Sequence, residues 1–348
     1  MRDERLCEIR IVLIGVGNIG RRFLEVLDRK ADLLGARYGL AFTVVGAGDS
    51  RGAALDPGGL DIPTLVRIKM DGRSVAEYPG RGRQGMAPLA LVQQVEADAL
   101  CEASPVNLKD GEPGLSCIRA AIGKGMHVVT PNKGPLVLAY PELIALARER
   151  GVQLLFCGAV AGGLPAINMG QRDMAGATID RLEALPNLTT SFILDKMSQG
   201  LSYAGALAEA QAQGCAETDP SLDVEGWDAA NKLVILANSV LDMPATLDDV
   251  SVEGITGVTA ADLERAKAED RVIKLVASAV RQEDGTYSLT VAPTPLPAAH
   301  PLARLSGQQM GIVYHTDIYG TISAAILEEE PIPSAATMLR DLLSIYRS

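Results

Sequence analysis

The chain has 348 residues, of which 47 % are hydrophobic and 22 % charged, a composition typical of a globular protein with two domains. Its formal net charge of −11 argues against nucleic acid and anionic membrane surfaces as partners, and its aromatic content of 4 % argues against single-stranded nucleic acid in particular. Five cysteines without a CxxC pair, and an N-terminus without an apolar leader, predict a reduced, cytoplasmic protein.

The first part of the chain alternates strand-like and helix-like segments. The β-branched run IRIVLIG is followed by the helical pattern RRFLEVLDRKADLL, and LAFTVVGAGD is a second strand. Helix and strand patterns then alternate through GLSCIRAAIGKG, MHVVTPNK and YPELIALARERG to VQLLFC. This rhythm predicts a parallel, doubly wound α/β sheet. We place the end of this first domain near residue 135.

The second part of the chain has the pattern of an α+β domain, which we place at residues 136–333. The strand ATIDRLEAL precedes two helices, LSYAGALAEAQAQG and WDAANKLVILANSVL, and a strand pair turns around Asp284-Gly285. GIVYHTD and IYGTISAAIL are further strands, and the last helix, within 334–348, is expected to pack back onto the first domain. The uncharged stretch Gly151–Gln171 contains five glycines and Pro165, so we interpret it as a strand and a turn and not as a membrane span.

A glycine-rich turn connects the first strand to the first helix. Its sequence fits GxGxxG, and the candidate residues are Gly15, Gly17, Asn18, Ile19 and Gly20. In this pattern the first glycine allows the tight turn, the second admits a pyrophosphate, and the third lets helix and strand pack closely. The position between a strand and a helix predicts that the first domain is a Rossmann-type NAD(P)-binding domain.

Other candidate cofactor residues follow the ends of later strands. Asp49 ends the second strand, where an acid commonly binds the adenosine ribose, while Ser50 and Arg51 are suited to a 2′-phosphate, so NAD and NADP both remain open. The alternative interpretation of Asp49 and Arg51 is a turn acid with a solvated arginine. Ser104 and Lys133 are further candidates, because ligands bind beyond the carboxyl ends of parallel strands.

Asp228 and Lys232 lie four residues apart on a predicted helix and therefore share a face. An exposed ion pair is one interpretation. However, apolar residues surround Lys232, and a lysine in an apolar wall is costly unless it is paired or functional. Glu217 and Asp223 precede this helix in an acidic segment suited to an ammonium group. We predict no metal site, since His127, His300 and His315 show no metal-ligand spacing.

Three segments together resemble the homoserine dehydrogenase family, in its short form without a C-terminal regulatory domain. They are PNKGPLVLAYPELIALARERGVQL, AVAGGLPAIN and GLSYAGALAEAQAQGCAETDPSLDVEGWDAANKLVILAN, and the similarity extends to about residue 255. The resemblance implies NAD(P)-dependent interconversion of L-homoserine and L-aspartate 4-semialdehyde in the biosynthesis of threonine and methionine. It also implies a homodimer formed through the sheet of the second, substrate-binding domain.

The resemblance implies roles for the candidate residues. Lys133 and Lys232 become the groups that transfer the hydroxyl proton, and Asp228 orients the substrate. Glu217, Asp223 and Thr189 become substrate-binding residues.

The chain departs from the family pattern in three places. It has Cys157 where the family has a glutamate, Leu188 where the family has a glycine, and ILEEEPIPSAAT near the C-terminus where the family often has a GxGAG turn. For Cys157 we expect the family's monovalent-cation site to be weakened or lost. For Leu188 we expect either a local backbone shift or a reshaped pocket. The alternatives to homoserine oxidation are therefore a related oxidoreductase for another small amino-bearing substrate, and a nucleotide-binding relative without turnover.

Overall fold

The computed structural model describes residues 6–328 and 332–347. The chain divides into two compact units. The first consists of the described residues of Met1–Gly163 and Glu330–Ser348, and the second of those of Leu164–Glu329.

A seven-stranded sheet forms the centre of the first unit, in the order β4-β3-β2-β1-β5-β6-β7. Five strands pair in parallel, in the order β2-β1-β5-β6-β7. At one edge, β3 pairs antiparallel with both β2 and β4. The strands are β1 (Cys7–Ile14), β2 (Leu40–Asp49), β3 (Gly52–Leu55), β4 (Gly82–Gln84), β5 (Ala99–Glu102), β6 (His127–Val129) and β7 (Leu154–Leu155). The predicted doubly wound sheet is confirmed, with an antiparallel edge that the sequence did not indicate.

In the described part of the first unit, the helices beside this sheet are α1 (Asn18–Tyr38), α2 (Ile62–Met70), α3 (Pro88–Gln94), α4 (Gly114–Gly123), α5 (Lys133–Arg150) and α12 (Ile332–Tyr346). The helix α12 packs against α1, and its residues Ala335, Met338 and Leu342 join the core beside the buried residues of β1. The helix α5 begins at Lys133, earlier than the predicted YPELIALARERG, and bends at Ala139 ahead of Pro141.

The first unit extends further along the chain than the predicted boundary at residue 135. The helix α5 follows β6 and leads to β7, and β7 pairs in parallel with β6 at the end of the sheet. Because this last βαβ connection closes the parallel sheet, the first unit ends near Gly163.

The second unit contains a six-stranded sheet in the order β13-β12-β8-β10-β11-β9. All of its pairs are antiparallel except β9 with β11. Its strands are β8 (Ile179–Leu185), β9 (Val250–Val252), β10 (Arg271–Arg281), β11 (Tyr287–Pro297), β12 (Gln309–Thr316) and β13 (Gly320–Leu327). The predicted antiparallel hairpin around Asp284-Gly285 joins β10 to β11.

The helices of the second unit are α6 (Ala166–Asn168), α7 (Leu188–Ser198), α8 (Tyr203–Ala212), α9 (Ser221–Val224), α10 (Trp227–Val240) and α11 (Ala260–Ala268). Ser202 caps α8 by accepting from the backbone N–H of Gly205, as predicted. The helix α10 is almost wholly buried along Ala229–Ala237 and contacts β9, β10 and β11. It therefore forms the rigid element on which Asp228 and Lys232 are placed.

Candidate active site

The glycine-rich turn of the first unit has the geometry that dinucleotide binding requires. Gly15 has a φ of +88°, and a Cβ there would lie 2.2 Å from the carbonyl oxygen of Ala103. A Cβ on Gly20 would lie 2.0 Å from the carbonyl oxygen of Gly15. Gly17, in contrast, faces open space, with no atom within 4 Å of a Cβ position. The first and third glycines are thus needed for packing, and the second leaves room for a pyrophosphate above the N-terminus of α1.

A cavity of about 620 Å³ lies beside this turn. The residues that line it include four of the predicted cofactor residues, Gly15, Asp49, Ser50 and Ser104. Its size and its place beyond the carboxyl ends of β1, β2 and β5 suit an adenosine or nicotinamide nucleotide.

Asp49 makes more intramolecular bonds than its predicted role as a ribose acceptor requires. Its carboxylate accepts from Lys69 Nζ at 2.8 Å, Ser74 Oγ at 2.7 Å, and the backbone N–H groups of Val75 and Arg51, both at 3.0 Å. Burial alone would raise the pKa of Asp49, but these bonds outweigh it, so that the pKa lies below its ordinary value. Asp49 therefore secures the loop after β2, on which the exposed Ser50 and Arg51 stand.

Ser104 and Lys133 are connected through a residue that the sequence did not single out, Glu102. This carboxylate is fully buried at the end of β5 and accepts from the backbone N–H of Ser104 at 2.8 Å and from Thr130 Oγ1 at 2.9 Å. Burial raises the pKa of Glu102, although these bonds oppose the shift. Asn132 bonds to the same group of side chains and caps α5, where Lys133 is the first residue. Glu102 thus fixes the ends of β5 and β6 relative to each other.

The second unit brings its predicted acid–base residues into one hydrogen-bonded cluster. Lys232 Nζ donates to Asp228 Oδ2 at 2.7 Å and to the carbonyl oxygen of Pro186 at 2.5 Å. The side chains of Lys232 and Asp228 are only 14 % and 11 % exposed. The alternative interpretation of Asp228 and Lys232 as an exposed ion pair is therefore wrong.

Asn187 is the hub of this cluster, and the sequence did not identify it as a site residue. Its amide Nδ2 donates to Asp228 Oδ2 at 2.7 Å and to Asp223 Oδ1 at 2.6 Å, while its Oδ1 caps α7. Thr189 Oγ1 donates to the carbonyl oxygen of Cys215 at 2.7 Å and lies 3.0 Å from Asp223 Oδ2. The cap position before α7 was the available signal, since Asn is preferred there, but it does not reveal the two distant acids.

Glu217 is exposed, and no hydrogen bond within residues 6–328 and 332–347 joins its carboxylate to this cluster. Its backbone carbonyl accepts from Gln211 Nε2 at 3.1 Å. The predicted residues Asp223, Asp228, Thr189 and Lys232 thus belong to one hydrogen-bonded cluster. Glu217 lies outside this cluster, on the exposed segment before α9.

Two of the three histidines, which show no metal-ligand spacing in the sequence, lie close to one carboxylate in the fold. His315 Nε2 lies 3.0 Å and His300 Nε2 3.4 Å from Glu183 Oε2. In the register of β8 with β12, His315 pairs with Arg181 and Glu183 with Val313, so Glu183 and His315 are diagonal neighbours on one face. Sequence spacing contains no information on this register. Burial alone would raise the pKa of Glu183, but bonds from Arg181 and His315 outweigh it and hold the pKa below its ordinary value.

Within the described part of the chain, no helix has the length and apolar character needed to cross a membrane.

Comparison with known proteins agrees with this geometry. The family model of homoserine dehydrogenase matches residues 165–343. A homoserine dehydrogenase of Methanocaldococcus jannaschii is 38 % identical over 339 residues, which cover 97 % of this chain and 98 % of the relative. An NAD(+)-dependent homoserine dehydrogenase of Pseudomonas canavaninivorans is 34 % identical over 344 residues, covering 99 % and 97 % of the two chains.

A solved structure of a hyperthermophilic archaeal homoserine dehydrogenase in complex with NADPH superposes with a TM-score of 0.84. It is 26 % identical and is matched over 97 % of this chain and 98 % of its own. The likeness therefore spans both units of the chain.

Proposed function

This chain belongs to the homoserine dehydrogenase family, and from that membership we propose that it interconverts L-homoserine and L-aspartate 4-semialdehyde with NAD or NADP. The observation that supports this most strongly is the buried cluster of Lys232, Asp228, Asn187 and Asp223 in the second unit. It combines an ammonium, which can exchange a proton with a side-chain oxygen of the substrate, with two carboxylates and an amide, which suit the binding of an amino group.

Each residue of the cluster has a proposed part in the reaction. The ammonium of Lys232, held by Asp228 and the carbonyl of Pro186, donates a proton to the aldehyde oxygen in reduction and recovers it in oxidation. Asp228 and Asp223 bind the substrate amino group, and Asn187 holds these two carboxylates in place. Lys133, at the N-terminus of α5 in the first unit, is the second candidate for proton transfer.

The residues for the nucleotide lie in the first unit. Gly15, Gly17, Asn18, Ile19 and Gly20 would hold the pyrophosphate, with Ser50 and Arg51 beside the adenosine ribose and Ser104 in the same cavity. When bound, the nicotinamide supplies or accepts the hydride. Asp49 contributes by ordering the loop of Ser50 and Arg51.

Steady-state kinetics with aspartate semialdehyde and either NADH or NADPH test these roles. We expect Lys232→Ala and Lys133→Ala each to lower kcat by about 10²–10⁴-fold, the usual contribution of an acid–base group, with nucleotide binding nearly intact. Asp228→Ala is expected to raise KM as well. The matched control is Lys196→Ala, which removes a lysine of the second unit that pairs with Glu209.

Turnover within a factor of about three of wild type in both lysine variants is too little for acid–base groups and would reject the mechanism. Nucleotide binding by the wild type without any consumption would instead identify a non-catalytic relative.

We also propose that the chain forms a homodimer through one face of the second sheet. Directly paired residues of neighbouring strands lie on the same face of a sheet. We call the proposed dimer surface the association face, and its exposed residues are Thr321, Ser323, Ala325 and Leu327 of β13, Arg181 of β8 and Val280 of β10. Leu327 is 57 % and Val280 39 % exposed. Sedimentation equilibrium should give twice the chain mass for the wild type and a lower mass for Leu327→Asp; a wild-type monomer would reject the dimer.

A reducing, cytoplasmic location completes the proposal. None of the five cysteines, all within the described ranges, forms a disulfide, and Cys101, Cys117 and Cys157 are buried. Fractionation of the producing cell tests it, since recovery outside the cytoplasmic fraction would contradict it.

A further inference from the structure

Three side chains from separate segments converge on the association face. Glu183 comes from β8 and His315 from β12, while His300 precedes the short turn Pro301–Arg304. Their ligand atoms all lie within 4.8 Å of one another. The turn is anchored by Leu302, which packs into a buried cluster with Leu185 and Val313 of the same two strands. The convergence is therefore built into the sheet and its core.

The chemistry of this trio selects a class of ligand. Two imidazole nitrogens and one carboxylate oxygen suit Zn²⁺ and its neighbours Co²⁺ and Ni²⁺, whereas Mg²⁺ and Ca²⁺ prefer oxygen ligands throughout. Glu183 is only 2 % exposed, and His315 is 33 % exposed, so the carboxylate is fixed while solvent reaches the imidazole. We propose that Glu183, His300 and His315 form a binding site for a divalent transition-metal ion, with Zn²⁺ as the representative ligand.

The groups around the trio support two of the three ligands. Nδ1 of His315 lies 3.1 Å from Thr321 Oγ1, and its N–H can donate a hydrogen bond to that oxygen when Nε2 binds a metal. The guanidinium of Arg181 binds the other oxygen of Glu183 and so orients the carboxylate. Arg181 also repels a metal ion, but in the single chain its side chain is 48 % exposed, so solvent screens much of that repulsion there.

His300 is the weakest of the three ligands. Its Nδ1 accepts from the backbone N–H of Leu302 at 3.2 Å, so its Nε2 carries the proton in the metal-free chain. Metal binding at Nε2 requires this one ring proton to move to Nδ1, at the loss of a single bond that caps a four-residue turn. That loss is smaller than the gain from a third metal–ligand bond. The affinity should therefore depend more on His315 than on His300.

This site goes beyond the proposed dehydrogenase function, since it uses none of the residues assigned to that reaction. A bound ion would connect β8, β12 and the turn after His300, and would raise the thermal stability of the chain. The test therefore has readouts that do not depend on turnover.

The experiment uses the full chain after treatment with a chelator. Titration calorimetry with Zn²⁺ is expected to give saturable binding of one ion per chain, and thermal unfolding with Zn²⁺ is expected to give a raised Tm. His315→Gln and Glu183→Gln should each weaken binding by more than about 100-fold, beyond the loss expected for a supporting residue, and His300→Gln by less. His127→Gln, which alters the histidine of the first unit, is the matched control and should bind Zn²⁺ as the wild type does.

Because the chain has three histidines, imidazole NMR signals identify the ligands directly. Zn²⁺ should shift the signals of His300 and His315 and leave His127 unchanged. Absence of saturable binding by wild type, or unchanged affinity in His315→Gln, would overturn the proposal. His315 is partly exposed, so this variant should fold even if Glu183→Gln does not. Centrifugation with and without Zn²⁺ separates the site from dimer formation, since a monomer that binds Zn²⁺ would refute only the dimer.

Discussion

Leu188 lies in the first turn of α7, between Asn187 and Thr189, which both bond to Asp223. Its backbone is helical and not left-handed, so the position does not require the conformational freedom of glycine. The side chain is half-buried, and the cluster around Asn187 is intact beside it. These observations support the first of the two expected consequences, a local backbone shift that leaves the bonds around Asn187 in place.

Replacing Leu188 by glycine tests this interpretation. We expect Leu188→Gly to leave kcat/KM for homoserine unchanged or reduced, and to destabilise the chain by about 1 kcal/mol because glycine is a poor helix former. Leu188→Met, which retains an apolar side chain of similar size, serves as the control. A large gain in kcat/KM for homoserine in Leu188→Gly would show that the leucine reshapes the pocket, and would favour another amino-bearing substrate.

At this scale, the sequence identified residue types and positions better than partners. Asp49 was expected at the end of β2 and lies there, but its bonds to Lys69 and Ser74 come from the segment between β3 and β4, for which no structure was predicted. No helix was predicted after Asn187, and its bonds to Asp223 and Asp228 depend on folding across 36 and 41 residues. Contacts of that range leave no local pattern.

At the scale of elements, the segment after β7 is held by the last helix of the chain. Arg340 of α12 donates to Cys157 Sγ at 3.0 Å and to the carbonyl oxygen of Gly163 at 3.2 Å. Asp341 accepts from the backbone N–H of Cys157 at 3.0 Å. A guanidinium thus lies on the segment where the family resemblance implied a monovalent cation, and weak dependence of turnover on Na⁺ or K⁺ stays a prediction.

Asp341 should make the stability of this arrangement depend on pH. Burial raises the pKa of Asp341 from 3.8 to about 6, so the folded chain retains a proton that the unfolded chain releases. The free energy of unfolding therefore falls as the pH rises from about 4 to about 6, and remains lower above that window. At about 1.4 kcal/mol for each pKa unit, the charged carboxylate costs about 3 kcal/mol at pH 8.

Asp341→Asn removes that charge and retains an acceptor for Cys157. Thermal unfolding is expected to show the variant more stable than wild type at pH 8, with the difference shrinking towards pH 4. The control is Asp28→Asn, which alters an exposed carboxylate of α1. A variant less stable than wild type at pH 8 would contradict the account of Asp341.

Long, strongly patterned elements were predictable, and short ones were not. The strands β1 and β2 and the helices α1, α8 and α10 follow from apolar runs and periodic patterns in their sequences. The strands β3 and β4 have four and three residues, too few for an alternating pattern. The helix α7 was missed because its buried residues surround the helix and show no amphipathic period.

At the scale of the whole molecule, the two-part α/β and α+β organisation and the family follow from the sequence. The boundary between the parts was placed too early, at residue 135, although the helix pattern of YPELIALARERG and the strand pattern of VQLLFC, which contribute to α5 and β7, were both recognised. The convergence of His300 and His315 on Glu183 also escaped prediction, since it depends on the register of β8 with β12. Local sequence patterns thus indicate the helices and strands and their order. Strand register, and hydrogen bonds between residues far apart in the sequence, decide which residues meet in a site.

The central claim is that homoserine is the substrate, and the most direct test compares kcat/KM for L-homoserine with those for L-serine and L-threonine, using wild-type chain with NAD⁺ and NADP⁺ in turn. We expect homoserine to exceed L-serine by at least about tenfold with the preferred nucleotide, since one methylene in a fitted pocket is worth about that factor or more. We also expect it to exceed L-threonine, an isomer of homoserine whose hydroxyl is on a different carbon. A higher kcat/KM for either competitor, or no reduction of either nucleotide with homoserine, would contradict the account.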